Sequence, residues 1–149
     1  MKIAVAADHG GLNLKNKIKE YLQSNGYEIC DFGTNSTDSC DYPDFALLAA
    51  EAVASAKCDR GIIVCTTGIG VSIVANKVPG IRCALCHETN GAELTRRHND
   101  ANVLALGAVA VEEEVAVKIV DIFLKTEFEG GRHKRRVDKI TAIEKKYGK

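Results

Sequence analysis

The stretch Gly61-Ile62-Ile63-Val64-Cys65, followed at once by Thr66-Thr67-Gly68-Ile69-Gly70, decides the fold of this chain. Five consecutive small or apolar residues without polar alternation predict a strand that is buried on both faces, as in a parallel sheet. The glycines in the following stretch predict a turn, and the residues after it predict a short helix. The unit therefore indicates a strand, a tight loop and a helix that returns across the sheet.

On both sides of this unit, apolar runs of strand length alternate with segments that have helical spacing. The predicted strands are residues 2–7, 27–32, 61–65, 82–86 and 103–106. The predicted helices are a segment around 14–22, residues 44–56, the short helix after residue 70, and residues 89–98, 115–125 and about 134–146. Residues 33–43 are predicted as a surface loop. The alternation predicts one α/β domain over residues 1–149, a three-layer, doubly wound (Rossmann-like) sheet of about five parallel strands with helices on both faces.

Composition excludes several classes of protein. Twenty Lys or Arg balance 20 Asp or Glu, which disfavours a general nucleic-acid binder because such proteins need net positive charge. No apolar run approaches the roughly 20 residues of a membrane helix, and Asp8 and His9 come too early for a secretory signal. We expect a soluble, cytoplasmic protein that binds neither nucleic acid nor membrane.

The charge is nevertheless uneven along the chain. Residues 125–149 contain nine Lys or Arg against four Asp or Glu. Such a basic segment is typical of a solvated helix face, of a site for a small anion, or of a complementary subunit surface. Arg132 and Arg136 are four residues apart and would share one helix face, where both could bind one phosphate.

The six cysteines are predicted to be free thiols, because the chain is apolar enough to fold without disulfides. Cys83 and Cys86 have the spacing of half a zinc site, but strand residues three apart point to opposite faces. No second such pair could complete the four ligands, so we expect no metal. Most of these thiols are expected in the core, with Cys65 as the exception.

Polar residues collect where three predicted strands end. Asp8-His9-Gly10-Gly11 follows the first strand, the stretch 66–70 follows the third, and His87-Glu88 follows the fourth. Ligands of doubly wound folds bind at this edge of the sheet. The coincidence of three such loops predicts a binding site there.

The loop at 66–70 is typical of neither known phosphate-binding motif. It has no Lys of a P-loop, and the residues after Gly70 supply no third glycine for a dinucleotide fingerprint. Its free amides and the following helix favour an anion formed during turnover, and they favour the thiolate of Cys65. These groups suit proton abstraction beside a carbonyl, or nucleophilic attack on one, and spacing alone does not separate the two.

Taken together, the motifs resemble the ribose-5-phosphate isomerase B family, which includes the galactose-6-phosphate isomerase subunits. The resemblance covers nearly the whole chain and rests on residues 6–11, 41–44, 65–70, 97–102 and 128–133. It implies aldose–ketose isomerisation through an enediolate, without metal or cofactor. By resemblance, Cys65 is the base, Thr67 and Asp8 move the hydroxyl proton, and His98 opens the sugar ring.

The resemblance also implies a set of substrate-binding residues. The enediolate would be bound by Thr66, Thr67, Gly68, Ile69 and Gly70, a sugar hydroxyl by Asn99, the phosphate by His9, Arg132 and Arg136, and the substrate also by Asp8 and Tyr42. Many relatives have an Arg shortly after the Leu106-Gly107 pair, whereas this chain has Ala108-Val109-Ala110. A six-carbon sugar phosphate (allose or galactose 6-phosphate) therefore stays open beside ribose 5-phosphate, as does sugar-phosphate binding without catalysis.

The predicted topology places His98 and Asn99 away from Cys65 within one chain. A helix that follows a strand runs back across the sheet, so its last residues lie at the opposite edge. If His98 acts with Cys65, a partner chain supplies it most simply. We expect a homodimer, or a higher oligomer, with shared active sites. A redox role for Cys65 is disfavoured because no resolving Cys lies near it in sequence.

Overall fold

Five strands form one parallel sheet in the computed structural model, which describes residues 1–148. The strands are β1 (Lys2–Ala7), β2 (Glu28–Asp31), β3 (Arg60–Cys65), β4 (Cys83–Leu85) and β5 (Val103–Gly107). Their order across the sheet is β2-β1-β3-β5-β4. The stretch that decides the fold is thus the central strand, where Ile63 pairs with Ala6 on one side and Ala105 on the other.

Within residues 1–148, five helices pack on the sheet and a sixth packs on one of them. They are α1 (Leu12–Ser24), α2 (Tyr42–Ala54), α3 (Ile69–Ala75), α4 (Thr89–Asn99), α5 (Glu113–Lys125) and α6 (Arg132–Tyr147). Helices α1, α4 and α5 pack on one face of the sheet, and α2 and α3 pack on the other. Helix α6 packs against α4. None of the helices within residues 1–148 combines the length and the apolar character needed to cross a bilayer.

The alternation of side chains along β3 divides the core into two halves. Ile62 and Val64 pack among residues of α1 and α5, whereas Ile63 and Cys65 pack among residues of α2 and α3. All four side chains are buried, as the continuous apolar run predicts for a central parallel strand. Cys65, the last residue of β3, therefore points to the α2–α3 face.

The three-layer α/β fold is confirmed, with each predicted strand and helix present and its bounds shifted by a few residues. Two corrections concern the functional region. Helix α2 begins at Tyr42, so the loop ends earlier than predicted, because Pro43 fits the first turn of a helix where its missing N–H is not needed. A short 3-10 turn at His9–Gly11, absent from the predicted elements, joins β1 to α1.

Candidate active site

The order of the strands creates a crevice between the ends of β1 and β3. These strands are neighbours, but the chain leaves β1 for α1 on one face and leaves β3 for α3 on the other. Parallel α/β sheets bind ligands at such a point, beyond the carboxyl ends of the strands. Asp8 follows β1 and Cys65 ends β3, so both residues border this crevice at what we call the carboxyl edge.

A cavity of about 460 Å³ opens in the crevice. Its walls are formed by Asp8, Tyr42, Cys65, Thr66, Thr67, Ile69, Gly70 and Ile73. All of these except Ile73 belong to the residues predicted from the sequence. The structure therefore brings three of the four residues predicted to transfer protons, Cys65, Thr67 and Asp8, around one cavity with most of the 66–70 loop.

The sulfur of Cys65 is held in place by the loop that follows it. Cys65 is 4% exposed, and its Sγ accepts a hydrogen bond from the Gly68 amide at 3.1 Å. Gly68 has φ 77°, and a Cβ there would lie 2.8 Å from the carbonyl carbon of Leu106. Only glycine fits this combination of left-handed backbone and close packing, so the loop fixes the sulfur against one amide.

Several amides of the same loop are free to bind an anion. The N–H groups of Thr66, Thr67, Gly70 and Val71 donate to no acceptor within residues 1–148. Intrahelical bonding resumes at Ser72, whose amide donates to the Gly68 carbonyl at 3.2 Å. Unpaired amides beside a sulfur are the groups that stabilise an oxygen as it becomes negative.

Asp8 and Tyr42 complete the cavity from its other sides. Asp8 is buried, and its Oδ1 accepts a hydrogen bond from the Gly11 amide at 3.0 Å, which caps the 3-10 turn. Its Oδ2 accepts none from residues 1–148. The ring of Tyr42 lies on Gly70, where a Cβ would be 2.6 Å from the ring.

His9 lies outside the walls of this cavity and is exposed. Its Nδ1 accepts a hydrogen bond from the Cys40 amide at 3.2 Å, which leaves Nε2 as the free ring nitrogen. The imidazole is thus oriented by the loop between β2 and α2. Of the residues predicted to bind phosphate, His9 is the one that this chain places next to its own cavity residue Asp8.

The remaining predicted residues lie at the other end of the strands, the amino edge. Asn102, three residues after Asn99, accepts a hydrogen bond at its carbonyl from the amide of Gly61, near the start of β3. Gly61 and Cys65 are four residues apart along β3, a span of about 13 Å. His98 and Asn99 therefore do not reach the cavity of their own chain, as the topology predicted.

His98 has a close partner that was not among the predicted site residues. Its ring stacks on that of His133 with centroids 4.1 Å apart and planes within 9°. His133 stands beside Arg132 at the start of α6, so this contact also brings Arg132 and Arg136, both exposed, to the amino edge. The four predicted residues that lie at the amino edge thus form a second cluster.

Charge and burial act together on His133. Its Nε2 lies 3.4 Å from Glu129 Oε2, and the Glu129 carboxylate is also paired with Arg97. Desolvation, followed by the positive charges of His98 and Arg132, holds the pKa of His133 below its ordinary value. The neutral ring is therefore favoured in the folded state.

The same residues converge closely enough to raise the question of a metal. Ligand atoms of His98, Glu129 and His133 lie within 4.8 Å of one another. The two rings are nearly parallel and stacked, so an ion in the plane of one ring would lie well outside the plane of the other. The carboxylate is moreover occupied by Arg97, and the arrangement fits paired imidazoles better than a metal centre.

One buried residue near the carboxyl edge was also missed. Lys15 is 1% exposed, and its Nζ donates to Asp31 Oδ1 at 2.8 Å and to the Thr34 carbonyl at 2.6 Å. Burial opposes ionisation of Asp31, but hydrogen bonds from Lys15 and Lys19 outweigh it and hold the pKa of Asp31 below its ordinary value. The burial of Lys15 could have been predicted from the sequence, because residue 15 shares one helix face with the apolar residues 18 and 22.

Known proteins share both the sequence and this geometry. The profile of a family described as Ribose/Galactose Isomerase matches residues 3–140. The chain belongs to this family. The ribose-5-phosphate isomerase B of Escherichia coli is 49% identical over 145 residues, which are 97% of each chain. The resemblance found in the sequence is thereby confirmed, and so is the class of isomerases.

Solved structures agree with the fold in detail. The ribose-5-phosphate isomerase B of Clostridium thermocellum has a TM-score of 0.98 and 57% identity, covering 99% of this chain and 100% of its own. That of Mycoplasma genitalium, solved with bound ribulose-5-phosphate, has a TM-score of 0.93 and 47% identity, covering 97% of this chain and 96% of its own. The family's fold is therefore the fold of this chain.

Proposed function

We propose that this isomerase interconverts ribose 5-phosphate and ribulose 5-phosphate, with Cys65 as the base. The observation that carries the proposal is the sulfur of Cys65 in a cavity lined by free amides. The similarity to the Mycoplasma genitalium protein with its bound ribulose-5-phosphate supports the choice of substrate. We also propose a cytoplasmic location, since the six cysteines are free thiols, as is usual in a reducing compartment.

The reaction moves one proton between carbons and one between oxygens. The Cys65 thiolate takes the proton from C2 of the open-chain aldose, C1 and C2 become doubly bonded, and O1 takes the negative charge. The amides of the 66–70 loop stabilise this oxygen. Thr67 and the free oxygen of Asp8 pass the O2 proton to O1, and the thiol returns its proton to C1, leaving the ketone at C2.

This mechanism requires neither a metal nor a cofactor. The developing charge is met by backbone amides, and the proton transfers use only side chains of the cavity. Activity should therefore survive exhaustive dialysis against a chelator. Loss of activity that returns on addition of a divalent ion would contradict this part of the proposal.

A homodimer with shared sites completes the machinery. In this assembly, a partner subunit supplies His98 to protonate the ring oxygen, Asn99 to bind a hydroxyl, and Arg132 and Arg136 to bind the phosphate together with His9. Exposed apolar side chains at both edges support such an interface. They are Ile69 and Ile73 beside the cavity and Ile140 and Ile143 on α6.

Replacement of Cys65 tests the base directly. We expect Cys65→Ala to lower kcat by about 10³-fold, the scale of one general base, while ribulose 5-phosphate still binds. Cys58→Ala is the matched control, because Cys58 is an equally buried thiol of the same half of the core outside the cavity. Undiminished turnover in Cys65→Ala would remove the mechanism, and a binding protein without catalysis would show no turnover in either variant.

Isotope exchange tests the enediolate. During conversion of ribose 5-phosphate in deuterated water, we expect deuterium at C1 of the ribulose 5-phosphate formed. A shielded thiol returns part of the original proton, so partial incorporation also supports the mechanism. Product without any deuterium, even after many cycles of the reversible reaction, would favour transfer of hydride instead.

A six-carbon substrate is the second candidate, and one loop favours it. Val109 is 74% exposed in the segment where the resemblance leads us to expect an Arg, so this segment offers no basic side chain that would select for the length of the sugar. Discrimination by one CHOH group is worth about 1–3 kcal/mol. Parallel assays with ribose 5-phosphate, allose 6-phosphate and galactose 6-phosphate decide between them, and a kcat/KM highest for ribose 5-phosphate supports the proposal.

A further inference from the structure

The turn that follows His98 and Asn99 has a backbone conformation that few residues adopt. Asp100 ends α4 with φ 46° and ψ 43°, in the left-handed region. Asp and Asn enter this region more readily than other residues with a side chain. Its amide still donates to the Arg96 carbonyl at 3.2 Å, so the turn closes the helix directly after the two residues proposed to act on the sugar.

Two arginines from different elements hold this turn. Arg82, just before β4, donates from Nε to the Asn99 carbonyl at 3.0 Å and from Nη2 to Asp100 Oδ2 at 3.1 Å. Arg96, on α4, donates from Nη1 to Asp100 Oδ1 at 2.9 Å. Each oxygen of one carboxylate is therefore bound by a different guanidinium.

Arg96 is itself held firmly. It is 4% exposed, its Nε donates to the Thr126 carbonyl at 3.3 Å, and its guanidinium lies 5.8 Å from the ring centroid of Phe123. A buried charge is expensive unless it is paired. The position of Arg96 therefore dictates the position of the Asp100 carboxylate, and the carboxylate in turn ties the turn to Arg82.

We propose that Asp100 is a positioning residue for the isomerase reaction, acting through His98 and Asn99 and not by contact with the sugar. This inference rests on the proposed function, in which those two side chains serve the partner's cavity. The Asp100 carboxylate, which is bound by Arg82 and Arg96, fixes where α4 ends. It thereby fixes the positions of the His98 ring and the Asn99 side-chain amide. A misplacement of about 1 Å can cost on the order of 10²-fold in rate.

Replacement of Asp100 separates positioning from folding. Asp100→Gly accepts the left-handed backbone but lacks the carboxylate, and Asp100→Asn keeps the shape but lacks the charge. We expect kcat/KM for ribose 5-phosphate to fall by about 10²-fold in Asp100→Gly and by less in Asp100→Asn. Asp138→Asn, which removes an exposed carboxylate paired with Lys134 on α6, is the control and should leave kcat/KM unchanged.

Mixed dimers give the readout that a general loss of structure would not produce. Two chains with different tags are co-expressed, and dimers carrying both tags are purified. Asp100→Gly paired with Cys65→Ala should regain about half of the normal activity, because one of the two sites is then intact. Asp100→Gly paired with His98→Ala should regain none, because each site then has one lesion in the half that the partner supplies.

The pair of Cys65→Ala with His98→Ala tests the shared site separately. If this pair regains activity and Asp100→Gly with Cys65→Ala does not, the loss in Asp100→Gly is a general structural defect and the positioning role is wrong. If neither pair regains activity, or no doubly tagged dimer forms, the shared site is wrong. Full kcat/KM in Asp100→Gly overturns the role of Asp100 in every case.

Discussion

At the carboxyl edge, the position of Cys65 is set by backbone packed against backbone, whereas at the amino edge charged side chains hold His98 and Asn99. A Cβ on Gly107 would lie 2.4 Å from the Thr67 carbonyl oxygen, so the loop and β5 are in direct contact. Around Asp100, by contrast, the contacts are ion pairs with Arg82 and Arg96. The position of Cys65 at the carboxyl edge therefore depends on glycines that allow close backbone contact. The positions of His98 and Asn99 at the amino edge depend on charged side chains.

This difference follows from what each edge has to bind. An oxygen that becomes negative during the reaction is best stabilised by backbone amides in fixed positions, and close backbone packing fixes them. A phosphate and a sugar ring require long basic side chains and imidazoles, which need other side chains to orient them. The two edges should therefore respond differently to added volume, to lost charge and to pH.

Among variants that compare how the two edges are held, the largest effect is expected from adding one methyl group at the carboxyl edge. Gly68→Ala introduces a Cβ 2.8 Å from the Leu106 carbonyl carbon at φ 77°. We expect a loss of about 3 kcal/mol in unfolding free energy, and about 10²-fold in kcat because the Gly68 amide moves away from the Cys65 sulfur.

Gly26→Ala is the matched control for Gly68→Ala. Gly26 has φ 75°, but a Cβ there meets no atom within 4 Å. It should lose only the roughly 1 kcal/mol of left-handed strain and keep full activity. Unfolding free energy from urea titration and kcat/KM should be measured for both variants. Equal losses in the two would mean that close packing at Gly68 contributes nothing to stability or activity.

Much of this arrangement was predictable from local pattern. The continuous apolar run at 61–65 predicted the central strand. The loops after the first and third strands were correctly predicted to contribute to the cavity, but His87-Glu88 does not line it, because β4 lies at the edge of the sheet with β5 between it and β3. The placement of His98 at the opposite edge followed from helix direction alone. Pro43 is a local indicator that α2 begins at Tyr42, because proline is favoured in the first helical turn, whereas the predicted loop over 33–43 left Tyr42 outside the helix.

The charged contacts could not be predicted in the same way. Arg82 and Asp100 are 18 residues apart, and Arg97 and Glu129 are 32 apart. No periodicity relates such positions, because each pair meets only after β4, β5 and α6 have packed. Lys15 is an intermediate case. Its helix face predicts that it is buried, but its partners Asp31, at the end of β2, and Thr34, in the loop that follows, are not predicted by that pattern.

A smaller effect is expected where the carboxyl edge does use charge. Lys15→Met keeps the aliphatic packing but leaves Asp31 with Lys19 alone. We expect unfolding free energy to fall by about 2 kcal/mol, because Asp31 loses one buried hydrogen-bond partner but keeps Lys19. Lys17→Met, on the exposed side of the same helix, should change it by less than about 0.5 kcal/mol. Similar urea midpoints for the two variants would show that burial of Lys15 is incidental.

The smallest effect should come from pH at the amino edge. The folded state holds the pKa of His133 below the value of about 6.5 that it regains on unfolding. Below that pH the unfolded chain binds more protons, so stability should fall as pH falls, whereas it should be level above it. Asp31 contributes to the pH dependence of stability only in more acidic solution, because its pKa in the folded state lies below its ordinary value.

His133→Gln isolates this contribution. Melting temperatures of the substrate-free protein between pH 8 and pH 5 should decline toward acid in the unmodified chain and decline less in the variant. The groups facing His133 (His98, Glu129, Arg132 and Arg136) are unchanged, so the difference in slope reports the one imidazole. Parallel curves would mean that the stacked pair accepts a second positive charge without penalty, and the amino edge would then lack the sensitivity to charge that distinguishes it from the carboxyl edge.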